Sequence, residues 1–178
     1  MVYMFLADGF EEVEALAPLD ILRRAGVEVT TLGVTGEYVT GAHNIVVKAD
    51  KPLSAAVKEN IDAVILPGGL GGTNNMDESE DVKALVQYAA DNNKLVCAIC
   101  AAPSILGKMG LLEGKEATCY PGFEDTFKGG IYKKQSVVKC NNFITSDGMG
   151  SAYKFGFEIT AALCGNEVAE KVKEQIQY

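Results

Sequence analysis

The chain has 178 residues, 48% of them hydrophobic and 22% charged, a composition typical of a globular protein with a substantial core. The formal net charge is −8 and no cluster of lysine and arginine opposes it, so no nucleic-acid partner is expected. No apolar run approaches the ~20 residues that cross a membrane, and the first residues lack the basic segment of a signal peptide. We therefore expect a cytoplasmic protein with no membrane partner.

Short strand-like runs alternate with helical patterns along the chain. The elements predicted in the first third are a buried strand at 2–6, a helix at 10–25, a strand at 27–32, a small β excursion at 37–48, a short helix at 54–60 and a buried strand at 62–66. Gly26 is expected to end the first helix in the left-handed conformation, and Pro18 is expected to kink that helix.

The rest of the chain begins with a loop, PGGLGGTNNM. The elements predicted after it are a helix at 79–92, a strand at 94–99, a helix at 101–109, strand-like pieces near 116–119, 131–138 and 142–146, and helices at 151–163 and 166–176. Because no linker, repeat or low-complexity stretch interrupts this pattern, residues 1–178 are expected to form one domain. The alternation predicts an α/β fold, a flavodoxin-like three-layer α/β sandwich with a doubly wound, mostly parallel sheet.

Three loops follow buried strands of this predicted sheet: DGFEEVE, PGGLGG and AICAAPS. The carboxyl ends of parallel strands lie at one edge of the sheet, and ligands bind there, where the crossover direction switches. The three loops are therefore expected to converge on one site.

Cys100 lies in the third loop. A strand that ends at Ile99 and a helix that begins at Ala101 leave this cysteine in a tight turn between small residues, the arrangement of a nucleophile elbow. Pro103 suits the first turn of the helix, where a missing N–H does no harm. Unpaired N–H groups at a helix start lower the pKa of a thiol, so we expect Cys100 to be a reactive cysteine with a lowered pKa.

The other four cysteines are expected to be small buried core residues: Cys97, Cys119, Cys140 and Cys164. An odd number of cysteines in a core-rich chain argues against a disulfide framework. Cys97 and Cys100 form a CxxC, but no second CxxC or histidine pair completes a tetrahedral zinc site. No metal site is expected.

Carboxylates and glycines in the first two loops could serve the same site. Glu14 lies on an apolar row of its helix and Glu11 lies on a comparable one, so periodicity does not choose between them. A buried carboxyl would have a raised pKa and could donate or accept a proton. PGGLGG does not match a nucleotide-binding fingerprint, but its glycines would let backbone N–H groups approach an oxyanion near Cys100.

The only histidine is His43, more than fifty residues before Cys100. Because no histidine follows Cys100, a triad in the order cysteine then histidine cannot be built within one chain. This argues against a class I glutaminase and against a Cys-His protease. A glutaminase-like amidotransferase subunit would need a histidine from elsewhere.

These motifs resemble the ThiJ/PfpI superfamily, specifically the branch that contains the Parkinsonism-associated protein deglycase and its bacterial relatives. The resemblance covers essentially the whole chain and rests on GFEEVEALAPLDILRRAG, DAVILPGG, AICAAPSIL and TSDGMGSAYKFGFEI. It implies that Cys100 is the family's elbow cysteine and that Glu14 is its protonated partner. It also implies that the backbone N–H groups of Gly69 and Ala101 form the oxyanion site.

The resemblance further implies a homodimer without a cofactor. Arg24 matches a residue of the family's dimer contact, and His43 aligns with a position that reaches toward the partner's site. One departure from the family pattern stands near the cysteine. Better-studied members carry histidine in a TxHP context, whereas the stretch here is TCYPG, with Tyr120 in that place. Tyrosine, with an ordinary pKa of ~10, is a poor base at neutral pH.

Two functions of different classes follow from the resemblance. The first is a glyoxalase III or deglycase-type enzyme that acts on a small reactive carbonyl such as methylglyoxal, or on its early protein adducts, through the Cys100 thiolate. The second is a cysteine-based oxidative-stress sensor or chaperone without significant turnover, because an accessible thiol beside a protonated carboxyl can stop at the sulfinic acid.

Overall fold

The computed structural model describes every residue from Met1 to Tyr178. Its strands are β1 (Val2–Leu6), β2 (Val29–Gly33), β3 (Tyr38–Thr40), β4 (Val46–Lys48), β5 (Lys51–Pro52), β6 (Ala63–Leu66), β7 (Leu95–Ile99), β8 (Glu116–Ala117), β9 (Ile131–Tyr132), β10 (Val137–Cys140) and β11 (Phe143–Ser146). Its helices are α1 (Glu12–Arg24), α2 (Leu70–Glu78), α3 (Glu80–Asp91), α4 (Pro103–Lys108), α5 (Ala152–Cys164) and α6 (Asn166–Ile176).

Seven strands form the central sheet in the order β10-β11-β7-β6-β1-β2-β5. All neighbours are parallel except β10 and β11. The five main parallel strands follow the flavodoxin-like order, because the chain builds outward from β1 to β2 and then returns to β6 on the other side. The crossover direction therefore switches between β1 and β6. Two small sheets lie outside, the antiparallel β3–β4 hairpin and the parallel β8–β9 pair.

The core has two layers because side chains alternate along each buried strand. In β1, Tyr3 and Phe5 pack with the cluster that includes residues of α3 and α4, whereas Met4 and Leu6 pack with residues of α1 and α5. Helix α6 covers α1 and α5 from outside through a smaller cluster. The mostly parallel sheet flanked by helices confirms the predicted fold class.

Several predicted elements differ from the structure. The short helix expected at 54–60 is two separate 3₁₀ turns, and the strand expected at 131–138 is split between β9 and β10. The loop PGGLGGTNNM contains most of helix α2, which the sequence analysis missed. Helix α1 is continuous through Pro18, and Gly26 adopts a left-handed φ of +80° directly after the helix ends.

No helix in the structure is both long enough and apolar enough to cross a membrane.

Candidate functional site

Cys100 stands between the end of β7 and the start of α4. Its φ is +64°, a left-handed conformation that costs a residue other than glycine about 1–3 kcal/mol. Two hydrogen bonds hold the turn in place: the Cys100 N–H donates to the Ser146 carbonyl at 2.9 Å, and the Tyr120 N–H donates to the Cys100 carbonyl at 2.8 Å. The neighbouring strand and the β8 loop thus fix a half-buried thiol in a strained turn.

Glu14 brings a carboxyl to this thiol from the first turn of α1. Its side chain is almost fully buried, and its backbone N–H donates to the Glu11 carboxylate, which caps the helix at 2.8 Å. Glu11 is only half-buried. Helical periodicity did not distinguish Glu11 from Glu14. The structure does, because it places the Glu14 carboxyl against the Cys100 thiol.

The surroundings of Glu14 favour its protonated form. Burial raises the pKa of this carboxyl to about 7, and the negative charge of Glu11 acts in the same direction. The Cys100 thiol and the Gly68 backbone act in the opposite direction by hydrogen bonding. Neither makes a hydrogen bond of regular geometry to Oε2 of Glu14, which is buried without a partner.

Two glycines of the second loop let it pack closely, Gly68 against the Glu14–Cys100 pair and Gly69 against the backbone of the first loop. A Cβ at Gly68 would clash with Oε2 of Glu14 and lie 2.6 Å from the Cys100 Cβ. A Cβ at Gly69, whose φ is +84°, would clash with the Gly9 carbonyl. Gly69 was predicted from the sequence as a site residue, whereas Gly68 was not. Its only signal was the PGG run after a buried strand, which does not show which glycine meets the pair.

The pKa of Cys100 does not follow the sequence-based prediction. Burial, and after it the charge and hydrogen bonding of the adjacent Glu14 carboxylate, raise it to about 12. The backbone N–H groups of Ala101 and Gly69 approach the sulfur and lower the pKa, but their effect is smaller. The expected lowered pKa is thus wrong for the thiol beside an ionised Glu14, because burial and the carboxylate outweigh the N–H groups at the turn.

The Glu14 carboxyl and the Cys100 thiol are close enough for the protonation of one to affect that of the other. Between the pKa of Glu14, about 7, and that of Cys100, about 12, the pair holds one proton and one negative charge. If the proton lies on the Glu14 oxygen, the sulfur is a thiolate that faces the N–H groups of Gly69 and Ala101. The arrangement can thus supply both a nucleophile and a neutral acid.

His43 lies on the β3–β4 hairpin and contacts Glu12, a residue to which the sequence analysis assigned no role. The Glu12 carboxylate accepts the His43 backbone N–H at 2.7 Å and contacts Nδ1 of the ring at 2.8 Å. Gly41 allows the hairpin to approach, because a Cβ there would clash with the carboxylate. These contacts join the hairpin to the helix start that carries Glu14.

The same residues form the one group that could hold a metal ion by proximity. Three potential ligand atoms lie within 4.8 Å of one another, one each from Glu11, Glu12 and His43. Both oxygens of Glu12 already contact His43, and Glu11 caps α1, so hydrogen bonds within the chain account for these side chains.

Tyr120 lies beside Cys100 through its backbone, while its side chain is half exposed. The ring lines a cleft with residues of the loop after β11. Arg24 is exposed and contacts Asp20 through Nε at 2.6 Å, one helical turn earlier.

All five cysteines are free. Cys97 and Cys119 are buried as expected and Cys140 is half-buried. Cys164 is exposed, so its assignment to the core is wrong. It is the last residue of α5, and the chain turns away at Gly165 directly after it.

Comparisons with known proteins identify the family. The model of the DJ-1/PfpI family matches residues 1–162. The chain is 39% identical to Protein dj-1beta of Drosophila melanogaster over 172 residues, which cover 95% of this chain and 92% of that protein. It is also 39% identical to the Parkinson disease protein 7 homolog of Danio rerio, with 96% and 93% covered.

Solved structures agree with this relationship. Oxidized Toxoplasma gondii DJ-1 superposes with a TM-score of 0.94 at 36% identity, covering 99% of this chain and 97% of that one. The crystal structure of Drosophila melanogaster DJ-1beta gives the same TM-score at 38% identity, with 99% and 96% covered. The chain therefore belongs to the DJ-1/PfpI family, in agreement with the resemblance seen in its motifs.

Proposed function

We propose that this protein is a cofactor-independent enzyme of glyoxalase III or deglycase type, which acts on methylglyoxal-type dicarbonyls or their early protein adducts. The observation that carries the proposal is the Cys100–Glu14 pair, a half-buried thiol beside a buried carboxyl whose pKa is about 7. A carboxyl with that pKa can exchange protons in both directions at neutral pH.

The proposed reaction begins when the Glu14 carboxylate takes the thiol proton and the Cys100 thiolate adds to the aldehyde carbon of methylglyoxal. The aldehyde oxygen becomes an oxyanion that the N–H groups of Gly69 and Ala101 can stabilise before it is protonated to a hemithioacetal. Glu14 then moves a proton from the former aldehyde carbon to the neighbouring carbonyl carbon, while the hydroxyl proton of the hemithioacetal passes to the neighbouring carbonyl oxygen, and a thioester results. Water hydrolyses the thioester to D-lactate and restores the thiol, so no external oxidant or reductant is required.

Tyr120 bears on the same proposal because it stands where better-studied relatives carry histidine. Its phenol can donate a hydrogen bond to substrate, but it is a poor base near pH 7. The proposed reaction therefore places all proton transfer on Glu14 and gives Tyr120 at most a donor role.

Methylglyoxal consumption tests this proposal. We expect measurable turnover by the wild type, loss of turnover in Cys100→Ser, and unchanged turnover in Cys140→Ser, a matched control at another half-buried cysteine. Turnover that survives Cys100→Ser would contradict the mechanism.

The second candidate is an oxidative-stress sensor, and it is favoured by one observation. Oε2 of Glu14 is buried beside the thiol without a hydrogen-bond partner. A protonated Glu14 could donate to a sulfinate oxygen at Cys100, and a related structure is described as oxidized Toxoplasma gondii DJ-1. Two equivalents of peroxide would oxidise the thiolate to the sulfinate and leave two molecules of water.

Mass spectrometry after mild peroxide treatment separates the two candidates. Selective addition of two oxygens at Cys100 with negligible methylglyoxal consumption would favour the sensor. Ready turnover that is lost in Cys100→Ser and in Glu14→Gln would favour the enzyme.

We also propose a cytoplasmic homodimer. Its support is an exposed apolar groove of about 380 Å³ along α1, lined by Val13, Leu16, Ala17 and Ile45 among others. Arg24, exposed on the same helix, and His43, exposed on the hairpin, are proposed to contact the partner. Sedimentation analysis of the wild type would test the oligomeric state, and a monomer at all concentrations would contradict it.

A further inference from the structure

A cleft of about 570 Å³ opens beside the Cys100 turn. The loop Thr118–Pro121 forms one wall, and the segment Asp147–Ser151 forms another. The backbone of Cys100 is bonded to both regions, because it accepts from Tyr120 and donates to Ser146, the residue before Asp147. Cys100 does not itself line the cleft, but its carbonyl accepts from Tyr120 in the cleft wall, so the cleft adjoins the reactive turn.

Eight of the thirteen residues that line this cleft carry a hydroxyl, amide, ammonium or carboxylate group. The hydroxyl of Thr118 is buried in the wall without a hydrogen-bond partner. The other polar side chains are Tyr120, Tyr132, Lys134, Gln135, Ser136, Asp147 and Ser151. A three-carbon aldehyde has too few polar atoms to use these groups.

The charges of the cleft indicate a neutral ligand. Lys134 supplies the one cation of the lining, and Asp147 supplies the one carboxylate. The neighbouring Lys133 pairs with Glu116, whereas Lys134 makes no ion pair within the chain. Oδ1 of Asp147 accepts from the Ser151 hydroxyl at 2.6 Å, which leaves Oδ2 available. An ammonium that donates and a carboxylate that accepts can together bind several hydroxyl groups. Because one ammonium and one carboxylate line the cleft, it offers no net charge to a phosphorylated or carboxylated ligand, and a neutral ligand suits this balance.

We propose that this cleft selects neutral polyhydroxylated 2-oxoaldehydes, the class of dicarbonyl formed when sugars degrade, over methylglyoxal. The aldehyde carbon would reach Cys100 while the hydroxylated chain contacts Lys134 and Asp147. The overall reaction adds one water to the 2-oxoaldehyde and gives the corresponding 2-hydroxy acid without a redox partner. This inference rests on the proposed enzymatic function of the Cys100–Glu14 pair.

The kinetic test compares methylglyoxal with 3-deoxyglucosone, a neutral six-carbon 2-oxoaldehyde with hydroxyl groups on its chain. We expect the wild type to have the higher kcat/KM for 3-deoxyglucosone. Lys134→Met and Asp147→Asn should each lower that value about tenfold or more, as the loss of a hydrogen bond to a charged group implies, with little change for methylglyoxal. Lys139→Met, at an exposed lysine outside the cleft, is the control.

A binding measurement separates this inference from the proposed function. Calorimetric titration of Cys100→Ser with 3-deoxyglucosone should show binding that Lys134→Met weakens. If neither aldehyde is turned over but this binding is present, the proposed function fails and the cleft remains a polyol site. If methylglyoxal is turned over without preference for 3-deoxyglucosone, or both cleft variants lower both activities equally, the inference about the cleft is overturned.

Discussion

Two carboxyl groups in the first turn of α1, Glu12 and Glu14, are both almost fully buried, but their surroundings differ. Burial alone would raise the pKa of either group. At Glu12 the side chain and backbone of His43 and the backbone of Ile45 donate hydrogen bonds, and together they lower the pKa below 4.5. At Glu14 burial prevails and the pKa rises to about 7. A buried carboxyl that accepts enough hydrogen bonds thus stays ionised and stabilises the fold. A buried carboxyl without those donors keeps its proton to a higher pH and can act as an acid.

The largest difference between the two residues should appear in turnover. Gln at position 14 cannot exchange a proton with the thiol or the substrate, so Glu14→Gln should reduce methylglyoxal turnover by about 10²–10⁴-fold. Glu12→Gln, a matched change two residues earlier, should retain most of the turnover. A steady-state assay of methylglyoxal turnover checks both variants. An equal loss of turnover in the two would show that Glu14 has no catalytic role that Glu12 lacks.

Gly68→Ala should disturb Glu14 through packing rather than charge. The added Cβ would clash with Oε2 of Glu14 and lie 2.6 Å from the Cys100 Cβ. Overpacking of this kind costs about 1–3 kcal/mol, and turnover should fall because the carboxyl must move away from the thiol. In Gly36→Ala the nearest atom to the new Cβ, the Tyr38 carbonyl oxygen, is 3.8 Å away, so this control should be neutral. Urea denaturation and the same assay would show whether the two alanine variants differ.

Glu12→Gln should lower the stability of the folded protein. Gln keeps one acceptor but turns an NH₂ group toward His43, so a donor that Glu12 now satisfies loses its partner. We expect the free energy of unfolding to fall by about 1–3 kcal/mol. Glu14→Gln should not be destabilised at pH 8, because it removes a buried charge that lacks a full set of partners. Urea denaturation would contradict this expectation if Glu14→Gln proved less stable than Glu12→Gln.

The pH dependence of stability should also have opposite signs for the two carboxyls. Glu14 holds its proton in the native state up to a pKa of about 7, against 4.5 unfolded, so its contribution to stability falls as pH rises from 4.5 to 7. Glu12 has a lowered pKa, so its contribution is present above 4.5 and lost as pH falls below that value.

The free energy of unfolding of Glu14→Gln, relative to that of the wild type, should therefore increase between pH 5 and pH 8. The ion pair of His43 with Glu12 is a further pH-dependent contribution, present below 6.5 and lost as pH rises through the raised pKa of His43. Because both proteins keep this pair, it cancels from their difference. A difference in unfolding free energy that does not vary with pH would show that Glu14 is ionised normally.

Much of the fold could be predicted from the sequence because its central strands are continuous apolar runs. β1 has its predicted bounds, and β6 and β7 lie within one residue of theirs. Helix α2 was missed because LGGTNNM has the composition of a loop. Its glycines instead permit close packing, since a Cβ at Gly72 would lie 2.8 Å from the Phe10 Cα.

The candidate site could be predicted only in part. The position of Cys100 followed from a strand that runs into small residues, a local pattern. The choice of Glu14 over Glu11, the contact of Glu12 with His43 and the need for Gly68 all depend on where distant segments meet. The direction of the Cys100 pKa was missed for the same reason, because burial and the neighbouring carboxylate are properties of the folded chain.

The most direct test of the shared proton is the pH dependence of Cys100 alkylation by iodoacetamide, followed peptide by peptide because Cys164 is exposed. Only the thiolate reacts, so the rate reports proton transfer from sulfur to Glu14. If the pair shares one proton, the rate should rise with a midpoint near pH 7, where Glu14 ionises, and this midpoint should disappear in Glu14→Gln. A wild-type rate that stays low at neutral pH and rises only toward the thiol pKa of about 12, with no inflection near pH 7, would contradict the account.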